Sequence, residues 1–70
     1  MMGTIFEIRP YRSGRQCFEA PDVQPYYEKR DDALTYAHCR TAMRRGDIRV
    51  FDSAGQIEHT IYFDNGGQKL

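Results

Sequence analysis

Two histidines, two cysteines and ten basic side chains hold most of the chemistry open to this 70-residue chain. His38 and Cys39 are neighbours, and an imidazole beside a thiol is the pair a cysteine nucleophile requires. Successive helical residues point about 100° apart, however, so these two do not readily meet. His59 falls on a predicted strand between Ile57 and Ile61, where a half-buried ring bonded to a neighbour is expected. Neither histidine has a cysteine or carboxylate at ligand spacing, so neither a metal nor another cofactor is expected. Cys17 and Cys39 lie far apart and form no Cys-x-x-Cys pair, which reads as two reduced thiols rather than a bridge. A nucleophilic Cys39 would further need an oxyanion site and a pocket, and so short a chain encloses little of either. A thiol-dependent enzyme is the weakest functional reading, and a non-enzymatic protein is expected.

The arginines offer a different chemistry. Arg40, Arg44, Arg45 and Arg49 gather near the end of a predicted helix and the strand after it, while Arg9, Arg12 and Arg15 surround an earlier turn. With Tyr11 and Phe51 interleaved, such a set could contact phosphates and stack on bases. Against this, Glu7, Glu19, Asp47 and Asp52 stand nearby and can partner the same arginines. Ten acidic residues cancel the ten basic ones. Nucleic-acid affinity rests largely on neutralised phosphates, so the balance makes nucleic-acid binding an alternative rather than the favoured reading. A net charge of zero favours self-association instead.

The chain is expected to be one domain over residues 1–70, ordered from about 4 to 63, with 64–70 a polar tail. So small a domain buries only about 60% of the surface its unfolded chain exposes, which leaves its stability marginal without a partner. The start of the chain lacks the apolar run of a signal peptide, and no stretch approaches the roughly 20 residues of a membrane span. No membrane association and a cytoplasmic location are expected.

The elements that must position these residues are readable from periodicity. Thr4 to Tyr11 alternates with period two, Arg12-Ser13-Gly14-Arg15 reads as a turn with Gly14 free for positive φ, and Gln16 to Ala20 returns. Pro21 to Pro25 is a loop, and Tyr26-Tyr27 a short extended piece that docks on the sheet. Asp31 to Arg45 reads as one helix, with acidic residues in its first turn, Arg44 and Arg45 in its last and Gly46 as its C′ residue. Ala33, Leu34, Ala37 and Thr41 form a small stripe suited to a sheet. Tyr36, Cys39 and Met43 form a second stripe. Ile48 to Phe51, a turn over Asp52 to Gly55, and Gln56 to Phe63 make a closing hairpin. The predicted fold is α+β, in the order ββαββ. A small antiparallel sheet has four strands, five if Tyr26-Tyr27 joins, with one helix packed on one face.

Asp32-Ala33-Leu34, Ala37, Gly46, Ile48-Arg49-Val50 and Gly55-Gln56-Ile57 resemble a family of small bacterial domains of unknown function with this order of elements. The likeness spans about residues 5 to 63. A fainter similarity is to YegP-like sheet-and-helix domains that pair into dimers. The chain departs from the first family in offering Lys29 or Arg30 at the helix N-cap and in lacking tryptophan. The resemblance implies a fold and an assembly but no catalytic residue.

A single sheet under a single helix has one face uncovered. Phe6, Phe18, Phe51, Tyr62 and Phe63 come from four strands and cannot all lie under one helix. Tyr36, Cys39, Met43, Phe51 and Ile5 are therefore the candidate interface residues. A homodimer or another protein is the expected partner, reached through the sheet face or the helix flank.

Overall fold

The computed structural model describes residues 3–65. Its elements are β1 (Thr4–Tyr11), β2 (Gly14–Phe18), β3 (Tyr26–Tyr27), α1 (Arg30–Cys39), β4 (Arg45–Phe51) and β5 (Ile57–Asp64). The class is α+β, and the short β3 adds a fifth strand to the expected order. One sheet runs β3-β2-β1-β4-β5. Every neighbouring pair is antiparallel except β1 and β4, which are parallel. This corrects the expectation of a wholly antiparallel sheet. Two hairpins fix pairing within themselves but not between them, and the helix that joins them brings β4 back beside β1 in the same direction.

Alternation along the strands builds the core. Phe6 and Ile8 on β1 stand beside Ile48 and Val50 on β4, and Cys17 lies opposite Ile8 on β2. All five are fully buried, together with Ala33 and Ala37 of the helix. Phe63 closes the cluster, its ring centroid 6.0 Å from that of Phe6. Leu34, Tyr36, Tyr27 and Ile61 pack around it. The helix contributes little more than alanines, and the absence of Cβ branching lets it lie close to β2, β3 and β1.

The helix stops at Cys39 rather than continuing to Arg45. Thr41 Oγ1 donates to the His38 carbonyl, and the Arg40 and Thr41 amides bond back three residues in a tightened last turn. Arg44 N–H then bonds to the Thr41 carbonyl, and Met43 turns the chain with φ of 63°. Arg44 and Arg45 therefore do not sit on the helix dipole. Gly46 is not a helix cap either: it belongs to β4 beside Thr4, where a Cβ would run into the Thr4 backbone. The basic pair and the glycine imitate a helix end in sequence, whereas the parallel seam is what requires the glycine.

A similar exchange occurs at the first hairpin. Tyr11 pairs with Gly14, so the turn is Arg12-Ser13 alone, and Arg12 takes the positive φ of 56°. Gly14 is buried within β2 because the Tyr27 carbonyl and the Tyr26 hydroxyl occupy the space of a Cβ. The turn after β4 forms as expected, with Asp52 Oδ1 accepting from the Ala54 and Gln56 amides. Asp64 lies in β5 and the Asn65 amide bonds to the Arg44 carbonyl, so both are held rather than part of a loose tail. The remainder of the expected tail lies outside the described residues.

Candidate functional site

Three surfaces carry the residues singled out from sequence: the end of the helix, the uncovered sheet face, and the outer edge of β5. At the helix end, Glu19 follows β2 and gathers side chains from across the chain. Tyr36 Oη donates to its Oε1 at 2.5 Å. Arg40 and Arg44 reach Oε2 at 3.0 and 3.3 Å. The Glu19 side chain is only 6% exposed. Burial pulls its pKa up, but the hydrogen bonds from Tyr36 and Arg40 and the charges of Arg40 and Arg44 outweigh that and hold the carboxyl below its usual range. The same hydrogen bond, aided by burial and by the Glu19 charge, pushes the Tyr36 phenol up to about 12.

This cluster uses residues assigned above to an interface or to nucleic acid. Tyr36 is bonded to Glu19 and packed on Tyr27 at 5.7 Å between ring centroids. Cys39 is exposed at the last helical position. Met43 is 82% exposed but stands in the turn, so the three residues do not form one helical stripe. Cys17 is buried in the core, where burial first and the Glu19 charge second push its thiol up to about 11. It is a packing residue held protonated at neutral pH. His59 is exposed rather than half-buried. Among the described residues no three of the histidine, cysteine, aspartate and glutamate side chains converge as a metal site would require.

The uncovered face follows from register. Ile5, Glu7, Arg9 and Tyr11 alternate with the core residues of β1, and Asp47 and Arg49 do the same on β4. No helix among the described residues lies over them. The face is dressed with charge that neutralises itself: Arg9 bonds Glu7 at 3.0 Å and Arg49 bonds Asp47 at 3.3 Å. Phe51 is not available there, since it is buried with the Arg9 guanidinium 3.9 Å from its ring centroid. Ile5 remains 47% exposed and, with Phe18, Pro21 and Arg49, lines a shallow groove of about 350 Å³.

The four arginines of the nucleic-acid reading are divided. Arg40 and Arg44 face Glu19, Arg49 faces Asp47, and Arg45 opens β4 opposite Asp64. Sequence reasoning named Glu19 as a partner for arginines without locating it as a hub. Its partners lie 17, 21 and 25 residues away, separations with no local periodicity to betray them.

The third surface is β5. It is eight residues long, pairs with β4 on one side, and has no strand on its other side among the described residues. Most of it is exposed, including Ile57 at 51% and Tyr62 at 68%. Set beside known proteins, the chain matches no family model, no curated protein and no solved structure.

Proposed function

We propose that the protein is a non-enzymatic interaction module whose partner is a second copy of itself, acting in the cytoplasm. One observation carries this reading: among the described residues six large apolar side chains stay exposed, and five of them, Ile5, Tyr11, Tyr26, Ile57 and Tyr62, are on strands of a sheet covered by one helix. Scattered exposed aromatics are ordinary on a large protein. Zero net charge removes the long-range repulsion that would keep copies apart. The Glu7–Arg9 and Asp47–Arg49 pairs let the uncovered face approach another surface without stranding a lone charge.

Sedimentation equilibrium at micromolar concentration tests the reading. A mass of twice the 8.2 kDa chain is expected. A clean monomer across the concentration range would remove it.

A further inference from the structure

We propose that Asn65 is a site of spontaneous succinimide chemistry, which slowly converts the clasp it makes on the end of α1 from amide to carboxylate. Asn65 is the only asparagine in the chain, and glycine follows it. Asparagine is among the thermolabile residues. A following glycine has no Cβ to hinder its amide nitrogen as that nitrogen closes on the asparagine side chain, and it tolerates the backbone angles that a five-membered ring imposes.

The hydrogen bonds of Asn65 give this reaction its consequence. Asn65 directly follows β5, and its backbone amide donates to the Arg44 carbonyl at 2.7 Å. Its Nδ2 donates to the Thr41 carbonyl at 3.2 Å and to Thr41 Oγ1 at 3.3 Å. Thr41 is 7% exposed, and its hydroxyl already donates to the His38 carbonyl at 2.8 Å. Both Thr41 oxygens are therefore acceptors toward Asn65, and only an N–H group satisfies them. A carboxylate has no proton to give and would set its charge against the Thr41 carbonyl. The Arg44 guanidinium is engaged elsewhere, 3.3 Å from Glu19.

The reaction consumes only water. The Gly66 amide nitrogen attacks Cγ of Asn65, forming a new C–N bond as the bond to Nδ2 breaks. The proton of the attacking nitrogen passes through solvent to the departing one, which leaves as ammonia. Water then adds to one of the two ring carbonyls. Opening at Cγ leaves aspartate; opening at the backbone carbonyl leaves isoaspartate, with the chain routed through the side chain. Either product adds a negative charge to a chain whose net charge is zero. Ring closure requires the side chain to swing onto the following peptide nitrogen, so a carboxamide held at Thr41 reacts more slowly than a free one.

Peptide mass spectrometry at Asn65 tests this on the full chain in mildly alkaline buffer, beside a sample unfolded in urea. Aspartate and isoaspartate are expected in both, forming roughly fivefold more slowly in the folded chain, as one net hydrogen bond implies. Gly66→Ala should suppress the conversion in both samples. Asn65→Asp, which makes one product directly, should lower the thermal midpoint by roughly 4–8 °C. No conversion in the folded chain, or conversion that Gly66→Ala leaves unchanged, would overturn the site. Equal rates in the folded and unfolded chain, or an unchanged midpoint in Asn65→Asp, would overturn the clasp.

Discussion

At one edge of the sheet, β3 is two residues long, follows Pro25 and lies under the helix. At the other, β5 runs for eight residues, mostly exposed, and the helix reaches it through the Arg30–Glu58 ion pair at 3.6 Å. The first edge is too short to template a strand, and its chain direction is fixed by β2 and by the helix above. The second leaves a row of amides and carbonyls with no strand beside them among the described residues. The contrast extends inward. The helix, the Glu19 cluster and the tyrosine pair tie β2 and β3 together, whereas β4 and β5 are held through the parallel seam, the shared core of Ile48, Val50 and Phe63, and the Arg30–Glu58 ion pair. Both halves feed the buried core, with Ile48, Val50, Phe51 and Phe63 coming from β4 and β5, but the long open edge belongs to one of them.

The largest effect is expected at the seam that joins the halves. Gly46→Val drives a branched side chain into the Thr4 backbone at a residue with φ of 156°. It should cost more than about 3 kcal/mol, enough to abolish the cooperative unfolding transition of so small a domain. A normal transition by circular dichroism would mean that the seam yields easily and the halves are not joined there.

Within the covered half, Glu19→Gln leaves Arg40 and Arg44 without their carboxylate and should cost about 1–3 kcal/mol in urea denaturation. The wild-type pH profile gives the same information. The folded Glu19 pKa lies below its ordinary 4.5, so its contribution is present above that value and is lost as pH falls through the folded pKa. The Tyr36 phenol is raised from 10.0 to about 12, so its contribution is full below 10.0 and is lost as pH rises toward 12. Glu19→Gln should flatten the acid limb; an unchanged limb would deny the cluster its place in holding this half.

At the junction between the halves the sign reverses. Met43 holds a left-handed φ of 63° that suits glycine, so Met43→Gly should raise stability by roughly 0.5–1 kcal/mol. A loss instead would show that the exposed side chain supports the turn. The smallest change in monomer stability is expected on the open edge. Tyr62→Ser should stay within about 0.5 kcal/mol of wild type when measured on dilute monomer. Self-association should fall, because Tyr62 is one of the exposed apolar side chains on which the self-association reading rests.

The sequence made some of this legible and concealed the rest for physical reasons. Period-two alternation in Thr4–Tyr11 and Ile48–Phe51 separated core from uncovered face correctly, since burial on one side imposes that pattern. Ala33 and Ala37 marked the helix face for the same reason. Pairing direction left no local trace, so the sheet read as antiparallel throughout and its strand order stayed open, whereas β1 and β4 pair in parallel. Gly46, preceded by two arginines, carried the signature of a helix end although tertiary contact with Thr4 is what demands it. Phe51 looked exposed by alternation and is covered by Arg9, a side chain long enough to fold over its own sheet face. The interface candidates Tyr36 and Met43 shared a helical spacing that lost its meaning once the helix ended at Cys39.

Amide hydrogen exchange, followed at concentrations below and above self-association, compares the two edges directly. The outward amides of β5 should slow as concentration rises, while those of Tyr26 and Tyr27 should exchange at a constant rate. Exchange in β5 that is independent of concentration in a protein that dimerises would contradict the account.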